Sequence, residues 1–491
     1  MTRQIRRVSL VMLLLFGALF VNLNVIQLLR AEEFANHPAN RRLLVAEYGI
    51  ERGAIVVGDR RIAFSEPTGG DLKYVRRYDP PFRYAHLLGY YSVLLGRDGI
   101  ERALNEELIG TSTDLLAQNL AELLGERDPV GNSLRLTIDP RVQATAQEAL
   151  AGRTGAVVAL DPTTGAVLAH VSTPGYDPNR LSSHDLEDIR AYWEQLQEAP
   201  DDPLADRAIE RRFQPGSAFK LIVAASALER GITPDTRFDD SAAYTPPNTT
   251  RAIRNFGRGT CAGGGTLTLA EALVVSCNVV FARLGVELGA ERLVDMAERF
   301  GFNRRLPYVL GGVESVIPRD LDAPATAQSS IGARDVQATA MQMAMVAAGI
   351  ANDGVLMRPY VVEEILDPSG RPLGGPDSGP WVDGSFTAQA VSRETARTLQ
   401  DLMVRVVGEG TGRRAAIDGA IVGGKTGTAD PGEDMPSHAW FVGFAGSRAE
   451  GGGISPQVAV AVVLPSAGDD ATGGVDAAPI ARAVMEAALG S

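Results

Sequence analysis

The chain has 491 residues, a formal net charge of -13, and 22% charged against 45% hydrophobic residues, the balance of a globular protein long enough for two or three domains. The acidic excess, with no basic cluster, argues against a nucleic-acid partner. Two cysteines, Cys261 and Cys277, and five scattered histidines exclude a disulfide scaffold and offer no metal-ligand spacing, so no cofactor and no catalytic metal are expected.

The first element is "VSLVMLLLFGALFVNLNVIQLL", Val8 to Leu29, which carries no charge. Its length matches the ~20 residues that span a bilayer core. Arg3, Arg6 and Arg7 precede it, so the positive-inside rule keeps residues 1–7 in the cytoplasm and sends the rest outside. The run is long for a signal peptide and no clean A-x-A site follows. A single-pass anchor in the cell membrane, 8–29, is therefore expected.

Residues 30–135 read as a smaller extracytoplasmic domain. "RGAIVVGDRRIAF" predicts a strand pair turning at Gly58-Asp59. A polar break, "GERDPVGNS", leads to "LRLTIDPRVQATAQEALAG", where Asp139 and Pro140 suit a helix start and Gly152 a stop. From 136 to 491 a second domain is expected. "GAVVALDPTTGAVLAHVS" predicts a hairpin, and a mostly helical middle follows. "GAIVGGKTGT", "HAWFVGFAG" and "QVAVAVVLP" supply three late strands, and Pro479 to Leu489 a last helix. The stretch "DPSGRPLGGPDSGP", from Asp367, reads as a loop. Two strands early, three late and helices between them predict an α/β (α+β) domain, one antiparallel sheet with helices on both faces.

The middle contains a chemical oddity. Lys73, Lys220 and Lys425 are the only lysines among 47 basic residues. Arginine cannot lose its proton at biological pH, whereas a lysine can if its pKa is pushed down. Lys73 reads as incidental. Lys220 lies in "QPGSAFKLIVAASAL", apolar nearly all round, which predicts a buried helix. Ser217 is three residues earlier, one turn away on the same face. A serine hydroxyl needs a base to become a nucleophile. Lowering a lysine pKa by about 3 units takes roughly 4 kcal/mol, and burial beside a second cation supplies that.

Two further stretches fit this chemistry. In "TLAEALVVSCNVVF", Thr268 and Glu271 form a capping box. Ser276 and Asn278 then place a hydroxyl and an amide among apolar residues, which demands hydrogen-bond partners; the bland alternative is a helix break with local bonds. In "GGKTGTA", Lys425, Thr426, Gly427 and Thr428 suit a carboxylate, and the glycines allow a ligand backbone to approach the strand; the alternative is an edge strand guarded by a lysine. Because the domain faces an oxidising exterior, a Cys261–Cys277 bridge is also expected.

S-x-x-K, S-x-N and K-T-G in this order are shared by penicillin-binding proteins and serine β-lactamases. At these residues, and over nearly its whole length, the chain resembles class B penicillin-binding proteins of the penicillin-binding protein A type. "RGAI", "GIERALNEELIG", "LTIDPRVQ", "PGSAFK", "SCN", "IANDGVLMRP" and "GGKTGTA" carry the resemblance. It implies a five-stranded serine β-lactamase/D,D-peptidase-like fold. The implied activity is a D,D-transpeptidase that cross-links peptidoglycan stem peptides ending in D-Ala-D-Ala and is acylated by β-lactams. Ser217 would be the nucleophile and Lys220 its base. Ser276 with Lys425 would relay a proton, Asn278 would orient Lys220 and the substrate amide, and Thr426 and Thr428 would hold the substrate carboxylate. A membrane glycosyltransferase of the shape, elongation, division and sporulation (SEDS) family is the implied partner. Asp206, Phe213 and Ala218 depart from the family's frequent Asn, Tyr and Thr; Asp206 puts the hydrogen bonding near the nucleophile in question. A D,D-carboxypeptidase and a non-catalytic scaffold remain the alternatives. A β-lactamase would need a deacylating glutamate in an E-x-x-L-N run between Asn278 and Lys425, and that run is absent from the sequence.

Overall fold

The computed structural model describes residues 2–25, 47–110, 130–375, 378–430, 437–449, 453–465, 468 and 471–490. Helix α1, Thr2–Asn24, is long and apolar enough to cross a membrane: Arg3–Asn24 has mean hydropathy 1.8 and none of it is buried by protein. The helix starts before the apolar run. Arginine is a good helix former, so the hydrogen-bonded turns continue through Arg3, Arg6 and Arg7. The outer end of the expected span, 26–29, and most of the polar break at 125–133 lie outside the described residues.

The smaller domain is built on β1 (Ile55–Val57), β2 (Arg60–Pro67), β3 (Tyr74–Tyr78) and β4 (Ser133–Leu136). β1 and β2 form the expected pair about Gly58, whose φ of +57° suits a tight turn. β4 runs parallel to β1. Two strands from much later in the chain, Val362–Leu366 and Pro372–Gly374, complete the six-stranded sheet on the β4 side. The first part of the expected loop, 367–371, is thus the turn of a hairpin, with the Asp367 carboxylate accepting from the Ser369 and Arg371 N–H groups, and residues 376–377 of that loop lie outside the described residues. Pro372–Gly374 is a fully exposed edge, without the apolar alternation by which a strand is recognised. Beneath the sheet, Glu101 is buried between Arg52 and Arg76, its carboxylate 2.7 Å from Arg76 Nε. Burial raises the Glu101 pKa, but the two guanidiniums outweigh it and hold the carboxyl below its ordinary value.

The larger domain opens with α2, Pro140–Leu150, capped by Asp139, which accepts from the Arg141 and Val142 N–H groups. The left-handed residues Ala151 and Gly152 end it. Strands β5 (Gly155–Leu160) and β6 (Val167–Thr173) form the expected hairpin around the Asp161 turn. The helical middle includes α3 (Lys220–Leu228), α4 (Leu269–Val274), α5 (Asn278–Leu288), α6 (Ala340–Ala351) and α7 (Arg393–Glu409). Then come β7 (Ile421–Ala429), β8 (His438–Arg448), β9 (Ile454–Leu464) and α8 (Ala478–Leu489). The sheet order is β7-β8-β9-β5-β6, antiparallel throughout.

Successive residues of a strand point to opposite faces, and both faces are covered. Val157, Ala159, Val460 and Val462 meet α2 and α8, with Val142, Ala146, Ile480 and Val484 opposite. Ala156, Val158, Ala461 and Val463 belong to the core on the other face, where α6 packs. Every residue of α6 is buried, as expected of a helix apolar all round. β7 is left at the edge of the sheet, where one side of its backbone is open to a ligand.

Candidate active site

Ser217 stands in a 3-10 turn, Gly216–Phe219, and Lys220 is the first residue of α3. Side chains three apart eclipse in a 3-10 turn, so serine and lysine are stacked by local geometry alone. The turn lies flat on β7. A Cβ on Gly216 would come 2.4 Å from the Thr428 carbonyl oxygen, and one on Gly427 2.4 Å from that of Pro215. Gly216 also has φ +52°, a conformation costly for residues with a Cβ. The Trp440 indole N–H, donated to the Gln214 carbonyl at 2.9 Å, fixes the approach to the turn from β8.

Lys220 is fully buried. Its Nζ lies 2.7 Å from the Ser276 carbonyl oxygen, 2.7 Å from Asn278 Oδ1 and 3.3 Å from Ser276 Oγ. Lys425, also fully buried, places Nζ 2.9 Å from Ser276 Oγ and 2.9 Å from the Thr426 carbonyl oxygen. Burial, and then the Lys425 charge, push the Lys220 pKa well below its ordinary value. Burial brings Lys425 down to about 7. A neutral Lys220 satisfies both carbonyl oxygens with its two N–H bonds and keeps its lone pair for a hydroxyl proton. The Ser276 hydroxyl bridges the two amines and can accept from one while donating to the other.

Ser276 holds φ +61° at the break between α4 and α5. Such strain in a non-glycine residue persists only when its surroundings over-determine it. Here the surroundings are Lys220, bonded to both oxygens of the residue, and a pinned loop. Cys277 is joined to Cys261, with Cα atoms 5.7 Å apart. Asp240 accepts the N–H groups of Cys261, Ala262 and Gly264. Asn255 Oδ1 accepts from the Val279 N–H, and Asn278 Nδ2 donates to the Arg254 carbonyl. Reducing the disulfide is expected to cost about 3 kcal/mol of stability. It should slow β-lactam acylation only several-fold, because Asp240 and Asn255 still hold the loop. Denaturant titration and stopped-flow labelling, with and without reductant, check both; unchanged kinetics would remove the loop from the site's support.

The third motif brings two hydroxyls to the mouth of this cluster. Thr426 Oγ1 lies 2.7 Å from Thr411 Oγ1, and Thr428 Oγ1 accepts the Gly473 N–H at 3.3 Å. Ser217, Lys220, Ser276, Asn278, Lys425, Thr426, Gly427 and Thr428 thus lie in one continuous region. Asp206 is buried and fully partnered: one oxygen lies 2.6 Å from His170 Nε2, the other accepts the Ala208 N–H. Burial raises the Asp206 pKa, but His170 outweighs it and keeps the carboxyl low. Thr411, Gly473, Trp440 and the His170–Asp206 pair are contacts the sequence reading missed. Only Thr411, in a short G-x-G-T-G run, offered any local signal. A wider groove of about 760 Å³ lies at the far end of α3, lined by Arg230, Arg292 and Glu298 among others. It holds none of the motif residues.

Residues 155–486 match the family described as penicillin binding protein transpeptidase domain, and residues 52–134 the penicillin binding protein A dimerisation domain. Peptidoglycan D,D-transpeptidase PbpA of Mycolicibacterium smegmatis is 41% identical over 501 residues, covering 100% of this chain and 99% of the relative. The Mycobacterium tuberculosis protein of the same name is 38% identical over 502 residues, with the same coverage. Among solved structures, the ceftriaxone acyl-enzyme complex of M. tuberculosis penicillin-binding protein A has a TM-score of 0.85 at 37% identity, over 91% of this chain and all of that one. With both domains matched and full-length relatives above 30% identity, the chain belongs to the penicillin-binding protein transpeptidase family.

Proposed function

We propose that the protein is a peptidoglycan D,D-transpeptidase that works through a serine acyl-enzyme. The observation that carries the reading is the buried pair of amines bridged by Ser276 Oγ, set beside a serine in the turn that leads into α3. Ser217 Oγ attacks the carbonyl of the penultimate D-Ala, and Lys220 takes its proton. The oxyanion is met by the backbone N–H groups of Ser217 and Thr428. As the C–N bond breaks, Lys425 and Ser276 return a proton to the leaving D-Ala nitrogen, and Asn278 keeps Lys220 aligned. Thr426 and Thr428 hold the terminal carboxylate. The amine of a second stem peptide then attacks the ester, forms the new amide and frees Ser217. A β-lactam enters by the same path, its ring amide standing in for the scissile bond.

α1 anchors the chain in the cell membrane, with Arg3, Arg6 and Arg7 on the cytoplasmic side and both domains outside. A membrane glycosyltransferase of the SEDS family supplies the glycan strands. The test is cross-linking of nascent strands that carry D-Ala-D-Ala stems. The wild type should yield cross-linked dimers and Ser217→Ala none. Trimmed monomers alone would make it a carboxypeptidase, and no turnover with no β-lactam adduct a scaffold.

A further inference from the structure

Thr411 lies outside the three motifs, in the link between α7 and β7, yet it is held as firmly as they are. A Cβ on Gly410 would come 2.4 Å from the Val274 carbonyl oxygen, and one on Gly474 2.5 Å from that of Thr411. The Thr411 N–H points to Val274, and Gly412 N–H donates to the Val406 carbonyl at 3.0 Å. These close approaches leave the Thr411 backbone little room, and its hydroxyl meets that of the buried Thr426 at 2.7 Å.

One proton lies between these two oxygens, and its direction decides what Thr426 can do. If Thr426 donates to Thr411, it has no proton left for a ligand. If Thr411 donates to Thr426, the Thr426 proton is free. Thr428 has the same arrangement with a donor that cannot reverse: the Gly473 N–H points at its oxygen, so the Thr428 proton must go elsewhere. An anion placed against Thr426 and Thr428 accepts from both, and its charge selects the arrangement in which Thr411 donates.

We propose that Thr411 is a positioning residue for carboxylate recognition: its hydroxyl donates to Thr426 Oγ1, and so turns and polarises the Thr426 O–H toward the carboxylate of a D-Ala-D-Ala terminus or a β-lactam. The proposal rests on the transpeptidase reading above. It adds a residue that touches no reacting atom and acts through Thr426 alone.

The test compares acylation of wild type, Thr411→Val and Thr411→Ser by benzylpenicillin and by its neutral methyl ester, with melting temperatures recorded for each. Thr411→Val leaves Thr426 its proton but removes the donor that fixes its direction, and should lower second-order acylation by the free acid by about fivefold, the net scale of one neutral hydrogen bond. The much slower ester reaction should change by less than about twofold on the same scale. Thr411→Ser keeps the hydroxyl and should restore the preference for the acid. An equal loss with both compounds would mean a general disturbance of the site and would overturn the proposal, as would no loss with either. A wild type that forms no adduct with either compound would bring down the transpeptidase reading, and the proposal with it.

Discussion

Lys220→Arg is expected to reduce β-lactam acylation by about 10²–10⁴-fold, the range for removing a positioned general base. The variant keeps the charge but cannot offer a free base at biological pH. The arginine is larger, and the Lys220 site is closed by Ser276, Asn278 and Phe281. Lys220→Met, of closer volume, is therefore made in parallel, and melting temperatures separate misfolding from lost chemistry. If either variant acylates within about tenfold of wild type, under 1.4 kcal/mol of barrier, Lys220 is not the base. The same pair of amines sets the pH profile. Both pKa values are depressed by burial, and Lys220 is depressed further by the Lys425 charge. The active state has Lys220 neutral and Lys425 protonated. Falling pH protonates Lys220 and slows acylation. Rising pH through about 7 discharges Lys425 and weakens its hold on Ser276 and on the substrate anion. The two groups titrate as a pair, so a bell is expected. A rate that rises without limit from pH 6 to 10 would show that the Lys425 charge is dispensable.

Glu101→Ala is expected to destabilise the smaller domain by about 3–5 kcal/mol, the cost of leaving a buried charge without its partner. Arg52 and Arg76 both point their guanidiniums at this one carboxylate, and neither reaches water. Glu101→Gln keeps one acceptor oxygen and should lose less. The loss should appear as a shift of at least about 12 °C in the transition of that domain. At temperatures where the domain stays folded, penicillin labelling should remain close to wild type, because Glu101 is remote in sequence and sheet from the Ser217 turn. A melting shift under about 2 °C would contradict the reading of the cluster.

Much of this was written locally in the chain. Asp139 and Pro140 start a helix because a carboxylate caps free N–H groups and proline lacks one, and Thr268 with Glu271 forms both halves of a capping box. The β5–β6 hairpin follows from two apolar runs around an Asp-Pro-Thr-Thr-Gly turn. The motif residues could be picked out because lysine is rare here and three spaced motifs are improbable together. What could not be read depends on partners far along the chain. Val362–Leu366 joins the first domain's sheet only because β4, more than 200 residues earlier, offers an open edge. His170 meets Asp206 across a sheet edge, and Thr411 gains its significance from a contact with Thr426 that no local pattern encodes.

The most direct test of the account is the mass of the protein after exposure to benzylpenicillin, followed by peptide mapping. One stable adduct per chain is expected, on the peptide bearing Ser217, absent from Ser217→Ala and formed at a rate that follows the Lys220 variants. An adduct on any other residue, or an unmodified Ser217 in folded wild-type protein, would contradict it.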